Sequence, residues 1–374
     1  MRLINTKTLE LSEFFGDAIP KYAILSHTWG DEEVTFQEWN DLYKASQKAG
    51  FPKIHGACAK AREHGFKWVW VDTNCIDKTS SAELTEAINS MFTWYERAEI
   101  CYAYLSDVPY SSKEEVDDKT LTAQLRNSRW FTRGWTLQEL LAPSAVTFYA
   151  GDWSKLGSRD GAMADAITSI TGIYLGYLTG QTAVESAPVS MKMSWLAGRT
   201  TTRVEDMVYC MLGLFDINIP LLYGEGTKAF TRLQNEIIKE SNDHTIFCWT
   251  WTPDVPATWT RLLAPSPKHL SGSDEISIYS ITNAGLSITL PVLRTSDSNF
   301  LFVLLRAKPY GPSSIRRVVA AIQVEGEMRG RVWHVWRALF PSRPVFLDHS
   351  ASELELQPLL VMNRRTIGPK SRTS

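Results

Sequence analysis

Residues 22–30 read YAILSHTWG, and residues 68–77 read WVWVDTNCID. Each stretch begins with four apolar residues and then turns abruptly polar, which is typical of a buried strand that runs into a loop. Residues 100–105, ICYAYL, and residues 146–150, VTFYA, have the same strand character. The sequence therefore predicts four buried strands within its first 150 or so residues.

Helical patterns separate these strands. Pro52 and Gly65 bracket one predicted helix, because proline suits a first helical turn and glycine a position just past a helix end. Ser80 and Glu83 form a capping box that predicts the start of a second helix. Apolar residues at helical spacing follow this box: Leu84, Ile88, Met91 and Tyr95. A third helix is expected over residues 128–141, ending before Pro143.

Strands that alternate with helices at this pace predict an α/β fold with a mostly parallel sheet and helices on both faces. Such folds bind ligands at the carboxyl ends of their strands. The polar stretches that follow Leu25, Val71 and Leu105 occur at those ends. We therefore expect the functional site there.

The pattern changes twice further along the chain. Helical signals dominate from residue 159 to 248, including a second capping box at Thr202 and Glu205. Beyond residue 249 apolar residues alternate with Ser and Thr around Asn283-Ala284-Gly285, which predicts a hairpin in an antiparallel module. The predicted domains are an α/β domain (1–158), a helical extension (159–248), a β-rich module (249–362) and a disordered basic tail (363–374).

Charge and hydropathy exclude several classes of protein. The 39 Lys and Arg residues nearly balance 41 Asp and Glu residues, so no basic field favours nucleic acid as a partner. The longest apolar run, Phe300–Leu305, is far shorter than a membrane span. The N-terminus carries charges where a signal peptide needs an apolar core, so we expect a cytoplasmic protein.

The five cysteines are Cys58, Cys75, Cys101, Cys210 and Cys248. They are scattered and form no CxxC pair, so we expect buried reduced thiols, with neither a disulfide framework nor a metal site.

Four sequence blocks together resemble one known family. They are Tyr22–Gly30, Trp70–Asp77, Arg133–Glu139 (RGWTLQE), and a block that runs from Arg199–Asp206 (RTTTRVED) to Pro220–Gly226 (PLLYGEG). Long motifs in this order, rich in Trp and His, resemble the heterokaryon incompatibility (HET) domain of filamentous fungi. The fourth block resembles the helical extension that often follows that domain.

This resemblance implies a role in self/non-self recognition and regulated cell death, a form of innate immunity. The HET domain is also distantly similar to Toll/interleukin-receptor (TIR) domains, which implies a flavodoxin-like sheet. Some TIR domains cleave NAD with the glutamate of a W-x-x-x-E motif. The resemblance therefore implies NAD as a candidate substrate, self-association through the HET domain, an unknown recognition partner and no bound cofactor.

Two other functions stay open at this stage. In one, the chain is a non-catalytic signalling module that assembles partners through the same surfaces. In the other, the C-terminal β-rich module senses a partner and holds the HET domain inactive.

The W-x-x-x-E pattern falls on Trp135 and Glu139, four residues apart and hence on one helical face. By the TIR resemblance, Glu139 is the catalytic carboxylate and Trp135 its packing partner. The loop with Ser26, His27 and Trp29 would line the adenine or ribose side of the substrate. Alternatively, Glu139 faces solvent and pairs with a nearby arginine, His27 is a buried structural side chain, and Trp29 anchors a turn.

Three further predictions concern charged residues. Asp72 either caps the backbone of the loop after its strand or binds ribose. Arg133 either binds phosphate with both arms of its guanidinium or clamps a neighbouring carboxylate. Arg199, Arg203, Glu205 and Asp206 are expected to form a structural ion-pair network that joins the helical extension to the α/β domain.

Overall fold

A computed structural model describes residues 1–109, 118–249, 252–256, 259 and 261–270, and the backbone of the strands between residues 273 and 361 given below. The chain divides into two compact units, Met1–Ser186 with Gly198–Gly224, and Ala187–Ala197 with Glu225–Ser374. The predicted basic tail and residues 110–117 lie outside the described residues.

The first unit contains a seven-stranded sheet. Its strands are β1 (Arg2–Asn5), β2 (Leu11–Glu13), β3 (Ala23–His27), β4 (Trp68–Trp70), β5 (Ile100–Leu105), β6 (Val146–Ala150) and β7 (Lys155–Ser158). The four predicted strands are β3 to β6. They are mutually parallel and lie in the order β4-β3-β5-β6. Chain order thus reverses beside β3, as in flavodoxin-like sheets.

The α-helices of the chain are α1 (Phe36–Trp39), α2 (Leu42–Ala45), α3 (Phe51–Glu63), α4 (Asp72–Cys75), α5 (Ser81–Glu96), α6 (Asp118–Asn127), α7 (Thr136–Leu141), α8 (Ala164–Thr171), α9 (Leu175–Leu178), α10 (Val189–Ser194), α11 (Asp206–Tyr209) and α12 (Lys228–Glu240). Short 3-10 helices are Gly16–Ala18, Arg129–Thr132, Val184–Ser186, Gly213–Phe215, His244–Phe247 and Pro267–His269. The predicted α/β class with a flavodoxin-like, mostly parallel sheet is confirmed.

Antiparallel strands complete both edges of the sheet. β1 pairs with β2 and β4, and β7 pairs with β6, all antiparallel. The sequence analysis missed these three strands because they are short and two of them are rich in polar residues. Leu3 and Ile4 of β1 are nevertheless fully buried, so the N-terminus is part of the core.

The helices α3 and α5 form as predicted. The apolar face of α3 is buried, and Gly65 follows its end with a φ of +82°, a conformation that favours glycine. Ser80 accepts a hydrogen bond from the Glu83 backbone N–H and so caps α5. The Glu83 carboxylate does not complete the box, because it pairs with Arg2 instead.

The second unit includes α10, α12 and an antiparallel sheet. The strands of that sheet are β9 (Tyr279–Thr282), β10 (Gly285–Arg294), β11 (Phe300–Leu305), β13 (Val318–Arg329), β14 (Val332–Arg337), β15 (Val345–Asp348) and β16 (Glu355–Val361). Two further strands, β8 (Ser273–Asp274) and β12 (Lys308–Pro309), pair with each other. The predicted hairpin forms, with Thr282 opposite Gly285. All pairings are antiparallel except that of β14 with β16. No described helix is both long and apolar enough to cross a membrane.

Candidate active site

A cavity of about 410 Å³ opens in the first unit where β3 and β4 end. This volume is within the range of about 300–1,000 Å³ that is usual for small-molecule sites. Its apolar lining comes mainly from α5, through the stripe that the sequence analysis identified: Leu84, Ile88, Met91 and Tyr95. The cavity thus lies at the carboxyl ends of parallel strands, where the fold class predicts a ligand site.

Glu139 reaches this cavity from α7. Its side chain lines the cavity, yet the residue is only 7% exposed. Ser26, at the end of β3, donates a hydrogen bond from Oγ to Glu139 Oε2 at 2.5 Å. The indole N–H of Trp130 donates to the same Ser26 Oγ at 2.8 Å. Since Trp130 can only donate, it directs the Ser26 hydroxyl proton toward the glutamate.

Burial raises the pKa of Glu139 to about 8. The negative charge of Asp72 acts in the same direction, whereas hydrogen bonds with Ser26 and Tyr95 and the charge of Arg133 oppose the shift. The Glu139 carboxyl group is therefore mostly protonated at neutral pH.

The raised pKa predicts a pH-dependent effect of Glu139→Gln on stability. An unfolded glutamate ionises near pH 4.5, while the folded one keeps its proton to about pH 8. The wild-type chain therefore loses stability relative to the glutamine variant as pH rises through this interval, by roughly 3–5 kcal/mol. Urea unfolding at pH 5 and pH 9 measures the difference. Equal gaps between variant and wild type at both pH values would contradict the raised pKa.

Asp72 binds three donors at the first turn of α4. His27 Nε2 lies 2.9 Å from Oδ1, the indole N–H of Trp29 donates to Oδ2 at 2.9 Å, and Lys78 donates to Oδ2 at 3.2 Å. Burial alone would raise the pKa of Asp72, but Lys78 and His27 outweigh it and hold the pKa below its ordinary value. Asp72 is thus an anion that fixes the β3 loop to the start of α4.

Trp29 forms part of the cavity wall and is 41% exposed. The ammonium of Lys78 lies 3.6 Å from the centre of its ring, a cation–π contact. Arg129 donates to the Trp29 carbonyl oxygen at 3.1 Å. These contacts hold an exposed aromatic ring at the cavity, where it can stack on a flat ligand.

The segment before Glu139 differs from the predicted single helix over residues 128–141. A 3-10 helix covers Arg129–Thr132, Arg133 is extended, and α7 begins only at Thr136. The extended residue pairs with Thr200 as an isolated parallel bridge, in which Gly134 N donates to Thr200 O at 2.9 Å. This long-range pairing interrupts the helix and brings the fourth sequence block to the cavity.

Gly134 is required at this crossing. A Cβ on Gly134 would lie 2.5 Å from Thr201 Cγ2 and 3.2 Å from Cys210 Sγ. We expect Gly134→Ala to destabilise the chain by about 1–3 kcal/mol, because the added methyl group overpacks the bridge. Chemical denaturation measures this effect. Gly198→Ala is a suitable control, because no atom lies within 4 Å of a Cβ there, and an equal loss in both variants would refute the crowding at Gly134.

The fourth block supplies the rest of the wall through Thr202, Arg203, Asp206 and Tyr223. The Tyr223 hydroxyl donates to Asp206 Oδ1 at 2.9 Å, and Trp135 also hydrogen-bonds to Asp206. Burial raises the pKa of Asp206. All four sequence blocks therefore contribute side chains to one cavity.

Arg199 and Glu205, two members of the expected network, each bind a backbone group of the first unit. Arg199 is buried and donates to the Arg133 carbonyl and the Thr136 hydroxyl, both at 2.8 Å. Burial lowers the pKa of Arg199 to about 10. The second predicted capping box is wrong, since α11 begins at Asp206 without a side-chain cap and Glu205 binds Gly224 N at 2.8 Å.

The structure brings all seven predicted site residues together. Six of them line the cavity: His27, Trp29, Asp72, Arg133, Trp135 and Glu139. The seventh, Ser26, is buried and donates a hydrogen bond to Glu139. Their chemical roles stay predictions. The alternative in which Glu139 faces solvent does not agree with its burial.

Sequence reasoning missed Lys78, Trp130, Arg203 and Tyr223 as site residues. Lys78 follows Asp77 in a turn without any periodic signal, and Arg203 lies three residues after Thr200, whose long-range bridge with Arg133 no local pattern predicts. All five cysteines are free and buried, as expected. Among the described residues, no group of three or more His, Cys, Asp or Glu side chains is arranged to hold a metal ion.

Comparison with known proteins agrees with the motifs. Residues 22–119 match the sequence model of the heterokaryon incompatibility protein (HET) family. The chain is also similar to the vegetative incompatibility protein HET-E-1 of Podospora anserina, with 45% identity over 225 residues. That match covers 59% of this chain but only 16% of the relative. No solved structure matches the chain. Residues 22–119 are thus identified as a HET domain, and the chain is similar over 225 residues to a fungal protein of vegetative incompatibility.

Proposed function

We propose that the HET domain of this chain cleaves NAD into nicotinamide and ADP-ribose, and that this activity drives a cell-death response in fungal self/non-self recognition. The single observation that carries the proposal is the placement of Glu139: a buried carboxyl group that opens into a ligand-sized cavity. We place the reaction in the cytoplasm, where NAD is available.

The chemistry needs little more than this carboxylate. Water attacks C1′ of the nicotinamide ribose, the electron pair of the C1′–N bond stays with the ring nitrogen, neutral nicotinamide leaves, and a proton is released. The transition state resembles an oxocarbenium ion. A carboxylate held against the sugar attracts the developing positive charge more strongly than it attracts the ground state.

The nature of the leaving group also explains why a single carboxylate suffices. Nicotinamide in NAD is already a cation, so no general acid has to protonate it. A pyridinium bound beside Glu139 favours the ionised carboxylate, which offsets the effect of burial on the glutamate. The Ser26 hydroxyl, directed by Trp130, then stabilises that charge through its hydrogen bond.

The remaining walls suit the rest of the molecule. The exposed face of Trp29 offers a stacking surface for a flat ring. The apolar side chains of α5 exclude water from the reacting bond. Asp72 already binds three donors, which favours a role in positioning His27 and Trp29 over direct contact with ribose.

The main alternative is a non-catalytic module that assembles partners through the HET domain. Measuring NAD in cells that produce the full chain separates the two. Cell death preceded by loss of NAD supports the enzyme, and cell death with unchanged NAD supports the scaffold. Self-association of the HET domain is compatible with either function.

A regulatory role of the C-terminal part is a further candidate. Under that hypothesis, the β-rich module restrains the HET domain until a partner binds. A chain that ends near residue 249 would then be more toxic than the full chain, whereas equal toxicity would speak against restraint.

A further inference from the structure

We propose that Arg133 and Arg203 form a clamp for the diphosphate group of a nucleotide bound in the cavity. The inference rests on the proposed function in taking NAD as the ligand. It adds Arg203, which the sequence analysis assigned to a structural network, as a ligand-binding residue.

The two guanidinium groups line the same cavity from different segments of the first unit. Among the described residues, the Arg133 guanidinium makes one long hydrogen bond, 3.5 Å, from Nη1 to the Thr202 hydroxyl. The guanidinium carbon of Arg203 lies 4.4 Å from the centre of the Tyr223 ring. Within the described part of the chain, neither arginine has a carboxylate within salt-bridge distance. Both keep hydrogen-bond donors available to a ligand.

The backbones of both arginines are well fixed, whereas their guanidinium groups form no salt bridge with a described residue. The bridge to Thr200 holds Arg133 extended, and Arg199 donates to the Arg133 carbonyl at 2.8 Å. Arg203 lies three residues after Thr200, the partner of Arg133 in this bridge. The contact with Tyr223, whose hydroxyl is bound to Asp206, limits the positions of the Arg203 side chain. Two cations are thus held near each other before any ligand arrives.

Neither of these two cations forms a salt bridge with a described carboxylate of the cavity. The lysine in the lining, Lys78, is paired with Asp72 at 3.2 Å. Burial keeps Glu139, the acid near Arg133, mostly protonated at neutral pH. Asp206, the acid near Arg203, is already bound by the Tyr223 hydroxyl.

Two guanidinium groups without a salt bridge, beside an apolar cavity, favour a ligand that carries both phosphate groups and a flat ring. Each planar fork matches a phosphate group through paired hydrogen bonds. A diphosphate offers one phosphate to each arginine, while the apolar lining and Trp29 accept a flat ring. The cavity therefore fits a diphosphate-bearing nucleotide better than a nucleoside or a free sugar.

Titration calorimetry of the full chain tests the clamp, with ADP-ribose as the probe and adenosine as a ligand without phosphate. We expect Arg203→Gln and Arg133→Gln each to raise the Kd of ADP-ribose at least about tenfold, since each removes charged hydrogen bonds. Adenosine affinity should change less than twofold. Arg203→Lys keeps the charge and loses the fork, so its Kd should lie in between.

Arg97→Gln is the matched control, an exposed arginine outside the cavity lining, and should leave both affinities unchanged. An ADP-ribose Kd in Arg203→Gln equal to that of Arg97→Gln would overturn the clamp. So would a wild-type chain that fails to bind millimolar ADP-ribose.

The same variants distinguish the clamp from the enzyme. Arg203-dependent binding of ADP-ribose by a chain that leaves NAD intact would keep the clamp and remove NAD cleavage. Cleavage of NAD with a KM that is the same in wild type and Arg203→Gln would remove the clamp and keep the enzyme.

Discussion

Replacing Glu139 by glutamine is expected to reduce NAD cleavage by the full chain at least about 100-fold. Glutamine keeps the shape of the side chain and accepts the Ser26 hydrogen bond, but it has no charge to stabilise the oxocarbenium-like transition state. Release of nicotinamide under initial-rate conditions measures the loss. The effect should appear in kcat, because the interaction strengthens only as the sugar becomes positive.

A matched control separates charge at the site from charge elsewhere. Glu86→Gln changes an exposed glutamate of α5 and should retain wild-type rates. Binding of ADP-ribose to Glu139→Gln should be close to that of wild type, because the clamp arginines are unchanged. A Glu139→Gln variant that still cleaves NAD at the wild-type rate would refute the assigned role.

Removing the carboxylate of Asp72 is expected to cost about 2–4 kcal/mol of folding stability. Asp72→Ala leaves Lys78 without its salt bridge and deprives His27 and Trp29 of their acceptor. The loss should be visible in urea unfolding at pH 7. Activity should fall as well, because Trp29 is no longer held at the cavity.

The lowered pKa of Asp72 fixes the sign of its pH dependence. A folded-state pKa below the ordinary 3.8 means that the stabilisation is complete above that value and is lost as pH falls below it. The stability gap between wild type and Asp72→Ala should therefore narrow in acid. Asp17→Ala, which changes an exposed aspartate that forms no salt bridge with a described residue, should have the stability of wild type both at pH 7 and in acid. A gap that widens in acid would contradict the Asp72 contacts.

Much of the fold follows from local patterns. Continuous apolar runs marked β3 to β6, and the Ser80 cap, Pro52 and Gly65 marked the limits of α3 and α5. These signals are local. A strand that is buried on both faces appears as a continuous apolar run, and the φ at a helix end depends on the residue at that position. The position of the site followed from the topology, since strands that run parallel place their polar ends on one edge.

Other features depend on contacts that no local pattern encodes. The helix expected over residues 128–141 is broken because Arg133 pairs with Thr200, far away in sequence. Arg203 looked like part of a structural network, yet its side chain faces the cavity beside Tyr223. The stripe of α5 marked only the apolar face of a helix in the sequence, and the same side chains line the cavity.

The most direct test of the account is a proton NMR time course of NAD with the purified full chain. We predict that the nicotinamide signals of NAD disappear and that free nicotinamide appears in equal amount. The second product, which carries the adenine, should be ADP-ribose. The control is the same protein preparation, shown separately to bind ADP-ribose. If that preparation leaves the NAD signals unchanged for hours, the result would contradict the claim that Glu139 makes this cavity an active site.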